Sequence, residues 1–160
     1  MKHLVEPIKD KEQIKAVECY LASYSKRNQL IFAFGVNTGL RISDILGLNI
    51  EDVKNKMYVE IHEKKTDKYK RFPLNNKLRG LIREYLKERE QLYSVGEGNP
   101  LFIGKKHCRL NRSQVYRFLN EACEKVGLKI NVGCHSLRKA FGYHHYKQNN
   151  DLALLQKILN

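Results

Sequence analysis

The segment that most constrains this chain is NQLIFAFGVN, residues 28–37. It is apolar nearly all the way round instead of along one stripe, the mark of a helix buried on every side. Such a helix must be wrapped by other elements, and its neighbours supply them. Asp10 to about Ser23 predicts a helix, with Asp10 and Gln13 as a capping box and Ile14, Val17 and Leu21 at helical spacing. Thr38–Gly39 ends the central helix, because Gly39 can take a positive φ. A short apolar helix from Ile42 to Leu48 follows, opening at Arg41–Ser43.

The period then changes. Met57–Ile61 alternates like a strand and Tyr69–Leu74 like its partner, with Pro73 near an edge and EKKTDK as the loop between them. Asn76 is the expected cap of a helix reaching about Glu90, and SVGEGNP reads as a loop. Further helices are expected over Asn111–Val126, ended by Gly127, over His135–Gln148, and over Asp151–Leu159. The expected fold is mainly α with a small antiparallel β-sheet, an α+β class. At 160 residues the chain is about one domain. A chain of this length can bury a sufficient core without disulfides or metals.

Charge narrows the function. There are 30 Lys and Arg against 17 Asp and Glu, a formal net charge of +13. Residues 101–160 alone carry 11 basic and 3 acidic side chains. An excess of this size favours a polyanionic partner: DNA, RNA or an anionic surface. Two basic runs stand out as phosphate contacts: Lys64, Lys65, Lys68, Lys70 and Arg71, and then Lys105, Lys106, Arg109, Arg112 and Arg117. Lys139 joins them as a candidate DNA contact. No apolar run approaches a membrane span, and the N-terminus has no apolar core of a secretory signal, so a cytosolic protein is the default expectation. Cys19, Cys108, Cys123 and Cys134 have long, irregular gaps and read as reduced and mostly buried. The alternative is a zinc site built from His107–Cys108, Cys123 and Cys134–His135, which the spacing does not support.

Three isolated features carry candidate chemistry. TGLRISDILGL, residues 38–48, places Arg41 just past the buried helix and its glycine turn. Lys65 lies in the tip between the strands. HSLRKAFGYHH, residues 135–145, spaces His135 and Arg138 at i, i+3, on one helical face. Taken singly, each has a plain structural explanation: a helix-end arginine beside Asp44, an exposed loop lysine, a capping or core histidine with a surface arginine.

Together they resemble the tyrosine recombinase, or phage integrase, family. Residues 38–48 meet the family pattern T-G-L-R-x-S-[ED]-[IL]-x-x-L. His135, Leu137 and Arg138 meet H-x-L-R, with Ala140–Phe141 as the small and aromatic run behind it, and Lys65 in KKTDKYKRFPL stands where the family has a hairpin lysine. The resemblance spans about residue 10 to residue 159. It implies a catalytic domain that cuts and rejoins duplex DNA through a 3′-phosphotyrosyl intermediate, for integration or excision of a mobile element, as a tetramer on DNA. Arg41 and Arg138 would stabilise the phosphorane, since guanidiniums give planar paired donors and never lose their charge. Lys65 would protonate the leaving 5′-oxygen, His135 would bond the phosphate, and Asp44 would orient the network. The covalent link conserves the bond energy, so no cofactor and no metal are implied.

The family pattern continues past Leu159 to a His or Trp and then the tyrosine nucleophile. Its expected domain organisation here is therefore a single catalytic domain over 1–160, without the N-terminal DNA-binding domain and without the C-terminal tail bearing the tyrosine. Tyr143 and Tyr146, inside the H-x-x-R helix, read as packing or backbone contacts. On these grounds residues 1–160 alone are expected to be inactive. A second reading is a DNA-binding regulator that keeps the phosphate pocket without cutting. A third, an RNA-binding protein, lacks RNP aromatics, a G-x-x-G clamp and a zinc knuckle.

Overall fold

The computed structural model describes residues 4–63, 66–92 and 98–159. The helix demanded by the sequence is α2, Lys26–Thr38, in which Leu30, Ile31, Phe32, Ala33 and Phe34 have no exposure at all. Burying each such side chain contributes roughly 1.5–3 kcal/mol, so this one element anchors both halves of the core. One half gathers Leu30, Ile31 and Phe34 with Ile45, Leu78, Tyr85 and Phe102; the other gathers Phe32 with Val17, Leu21, Leu119 and Leu137.

The wrapping helices start where their caps direct. α1, Lys11–Tyr24, begins at Asp10, whose carboxylate accepts from the Glu12 amide at 2.8 Å. Among the described residues Asp10 caps the helix through this bond, and the expected capping box with Gln13 does not form. α2 begins at Ser25, whose hydroxyl accepts from the Asn28 amide at 3.2 Å. α3, Ile42–Leu46, is shorter than the expected segment, and α4, Ile50–Val53, has no counterpart in the expectation. A single turn of helix leaves too few residues to show a period.

β1, Tyr58–Glu63, and β2, Lys68–Pro73, pair antiparallel, with Val59 opposite Phe72 and Glu63 opposite Lys68. α5, Asn76–Leu92, is capped one residue earlier than expected, by Asn75, which accepts from the Leu78 amide at 2.8 Å. α6, Arg112–Lys125, opens at Asn111 with a capping box to Gln114. α7, Cys134–Asn149, ends at Asn150 in the left-handed region (φ 50°), and α8, Leu152–Leu159, follows directly. Asp151 accepts from the Leu154 amide and opens that last helix.

Only Cys123 and Cys134 are buried; Cys19 and Cys108 are exposed, so the set is half-buried and not mostly buried. All four are free thiols, and the described residues contain no group of three or more His, Cys, Asp or Glu placed for a metal. Among the described residues no helix is long and apolar enough to cross a membrane.

Candidate active site

The site is made by the crossing of α2 and α7. Gly35 permits it: a Cβ there would stand 2.6 Å from the Leu137 Cβ, closer than carbon atoms pack. The next residue along α7 is Arg138, so the close crossing delivers its guanidinium to the end of α2. There Thr38 turns its hydroxyl back to the Phe34 carbonyl at 2.6 Å and accepts from the Leu40 amide at 3.2 Å. Gly39 takes φ 71°, a conformation costly for any residue with a Cβ, and Phe141 covers it. This turn presents the Gly39 carbonyl to Arg138, which donates through Nη1 at 3.1 Å. Arg138 Nη2 donates to the Leu159 carbonyl at the end of α8.

Arg41 follows the same turn as the N-cap of α3. Arg41, Asp44 and Arg138 line one narrow cleft with Glu63 and Lys70 from the two strands and Leu159 from α8. Its free space is about 10 Å³, room for about one water. The charges couple. Burial raises the Asp44 pKa, while Arg41 and Arg138 pull it back. Burial, and then Arg41, lower the pKa of Arg138. His135 is exposed at the start of α7; burial of part of its ring and then the positive charges of Arg112, Arg138, Lys139 and Arg41 push its pKa below the ordinary value. The imidazole thus belongs to the same electropositive neighbourhood as both arginines.

Lys64 and Lys65 lie outside the described residues. The other basic candidates divide by what they touch. Lys68, Lys105, Lys106 and Arg112 are exposed. Lys70 pairs with Glu63 at 2.9 Å, and Arg71 pairs with Glu60 at 2.8 Å while lying over the Tyr58 ring. Lys139 donates to the Val5 carbonyl. Arg109 spends its donors inside the protein, on the Leu46 and Leu48 carbonyls and the Asn49 side chain, tying the loop before α6 to the α3–α4 connection.

Glu63 is the site residue that sequence reasoning missed. Its carboxylate accepts from Lys70 and from the Thr66 hydroxyl, and these bonds, the Lys70 one foremost, hold its pKa below the usual range. The signal was present: Glu63 shares strand parity with buried Val59 and half-buried Ile61, and an acid on the inward side of a strand needs a partner.

Two arginines and a histidine, brought together by a buried helix and an H-x-x-R helix beside a two-stranded hairpin, define a class. The chain matches the Phage integrase family over residues 9–160 and belongs to it. It is 42% identical over 162 residues to the probable integrase/recombinase YoeC of Bacillus subtilis, covering 99% of this chain and 84% of that one. It is 29% identical over 139 residues to the tyrosine recombinase XerC of Thermodesulfovibrio yellowstonii, covering 84% of this chain and 46% of that one. Its fold superposes on the XerH site-specific recombinase bound to a palindromic difH substrate in a post-cleavage complex, with a TM-score of 0.80 and 26% identity, over 99% of this chain and 47% of XerH. The chain therefore spans about half the length of XerC and XerH.

Proposed function

We propose that residues 1–160 form the phosphodiester-activating domain of a site-specific DNA recombinase that cuts and rejoins duplex DNA through a 3′-phosphotyrosyl intermediate, serving integration or excision of a mobile element. The observation that carries the reading is the convergence of Arg41, Asp44 and Arg138 on one cleft beside His135. A scissile phosphate bound there receives donors from both guanidiniums, and the same donors strengthen as negative charge builds on the non-bridging oxygens. Asp44, between the arginines, holds their orientation. His135 donates a ring N–H to the phosphate, and burial of part of the ring, then the surrounding positive charges, favour its neutral form. Lys65 is the general acid for the leaving 5′-oxygen.

In this reading the tyrosine lies outside residues 1–160, and the exposed Lys68, Lys105, Lys106 and Arg112 contact the DNA backbone. Strand exchange assembles protomers on the DNA as a tetramer. The phosphate competes with the Leu159 carbonyl for Arg138 Nη2, so productive binding shifts the end of α8. The likeness to a recombinase solved with its DNA substrate supports duplex DNA as the partner.

The test has two parts. Affinity for a duplex, read by fluorescence anisotropy, falls steeply with rising salt, as counterion release requires; a salt-independent affinity overturns the DNA reading. A nicked suicide duplex bearing the core site traps a covalent adduct with the chain joined to its tyrosine-bearing segment. Arg138→Ala abolishes that adduct, and Lys65→Ala slows its formation more than it weakens binding. Adduct formed at the normal rate by Arg138→Ala rejects the cleft as the active site.

A further inference from the structure

The opposite end of α2 holds a second arginine pair with very different surroundings. Arg89 of α5 is 5% exposed, yet among the described residues only its Nη2 has an acceptor, the Pro100 carbonyl at 2.8 Å. Among the described residues its buried Nε and Nη1 have no acceptor in hydrogen-bond geometry. A guanidinium removed from water with two donor atoms unused is strongly unfavourable unless an anion reaches it. Arg89 borders a pocket of about 220 Å³, together with Arg27, Tyr85, Ser25, Lys105 and Glu88.

The walls of this pocket are held by contacts within the fold. Tyr85 stacks on Phe102 and donates its hydroxyl to the Leu101 carbonyl at 2.8 Å, with its oxygen in the neighbourhood of Arg89. Arg27 donates to the Ile103 carbonyl at 2.9 Å and to the Asn28 side chain at 3.0 Å, and burial lowers its pKa. Ser25 is the N-cap of α2, so the positive end of a 13-residue helix dipole faces the same space. Neither arginine forms an ion pair among the described residues.

We infer that this pocket is a binding site for a phosphate dianion, either inorganic phosphate or the terminal group of a phosphate monoester. Three cations, Arg27, Arg89 and Lys105, border it with the single carboxylate of Glu88, leaving a surplus that matches two negative charges. Nε and Nη1 of Arg89 lie on different edges of the guanidinium, so each is left as a single charge-assisted donor to an anion. The space is smaller than a drug-sized ligand requires and suits a single phosphate with a short substituent. It is not the catalytic cleft: α2 runs 13 residues between the two ends, about 20 Å at 1.5 Å per residue.

The experiment follows the arginine Nε–Hε resonances of the 160-residue chain by ¹⁵N NMR during titration with inorganic phosphate, and in parallel with O-phosphoserine, against chloride at matched ionic strength. The Arg89 and Arg27 signals shift saturably with either phosphate and not with chloride. Tighter binding of the ion assigns free phosphate as the ligand; tighter binding of phosphoserine assigns a monoester. Titration is repeated in the Arg41→Ala, Arg138→Ala double variant, where the Arg89 response persists. Arg89→Met weakens phosphate at least about tenfold, and the surface change Lys105→Ala weakens it by a smaller factor without touching the core. Phosphate shifts confined to Arg41 and Arg138 overturn the inference and leave the recombinase reading intact. An Arg89 signal that responds only to duplex DNA overturns it as well, assigning the pocket to the DNA interface.

Discussion

The two ends of α2 use the same residue type in opposite ways. At the C-terminal end, Arg41 and Arg138 share their cleft with Lys70 and with two carboxylates, Asp44 and Glu63. Arg138 also faces the negative end of the helix dipole through the Gly39 carbonyl. That set carries one positive charge in excess, which suits a phosphodiester, a monoanion. At the N-terminal end, Arg27 and Arg89 meet the positive end of the dipole with only exposed Glu88 to offset them. One end is balanced so that a substrate can exchange with its internal partners. The other is left electrostatically incomplete, which is a stronger demand for a ligand than basic character alone.

The sharpest way to break this comparison is to remove one arginine from each end. Arg138→Ala abolishes the covalent adduct, a loss of at least roughly 10²–10³, the scale of losing a preorganised donor to developing charge. Arg27→Ala leaves the rate of adduct formation per bound complex near its original value. Equal losses in a suicide-substrate assay would show that both ends serve the chemistry.

Stability distinguishes the ends next. Gly39→Ala puts a Cβ at φ 71° and 2.4 Å from Phe141 Cδ1, a cost of about 1–3 kcal/mol in urea unfolding. Ser25→Ala removes the acceptor for the Asn28 amide and costs about 1 kcal/mol. A Gly39→Ala protein as stable as Ser25→Ala would mean that the turn before Arg41 is pliable.

The smallest expected effect is a pH dependence at the C-terminal end. The folded pKa of His135 lies below its ordinary 6.5. Above pH 6.5 the ring is neutral in both states and contributes nothing. As pH falls through 6.5 the unfolded chain takes up the proton first, so stability declines until the folded pKa is passed. Arg112→Ala, removing the foremost of the neighbouring charges, raises the pKa in an NMR titration and shallows that decline. An unmoved titration would place His135 outside the cationic cluster. At the other end Tyr85 is pushed up to about 12 by burial, so it stays neutral over this range.

The elements were legible because their signals are local. α2 announces itself by all-round apolarity, α1 and α6 by their caps, and the hairpin by alternation around a polar tip. The four-residue α4 and the displaced cap of α5 were not, because a single turn has no period and Asn75 and Asn76 are chemically identical candidates. At the site, Arg41, Asp44, His135 and Arg138 could be singled out from their motifs, whereas Glu63 carried only the weaker signal of strand parity. Its role depends on which strand face meets the arginines.

By itself the sequence determined the central buried helix, the surplus of positive charge and the residue types available to hold a phosphate. Each follows from composition or spacing along the chain. Only the tertiary structure decided which basic side chains are open to a partner. Arg109 and Arg71 read like Lys105 and Lys106 in the sequence, and all four are exposed, yet folding gives the two arginines hydrogen-bond acceptors on this same chain. It also decided that Arg89, one of many charged residues on an amphipathic helix, is buried with donors unspent. The reason is physical: a hydrogen-bond donor is satisfied in three dimensions, by carbonyls and carboxylates that the chain brings from far away.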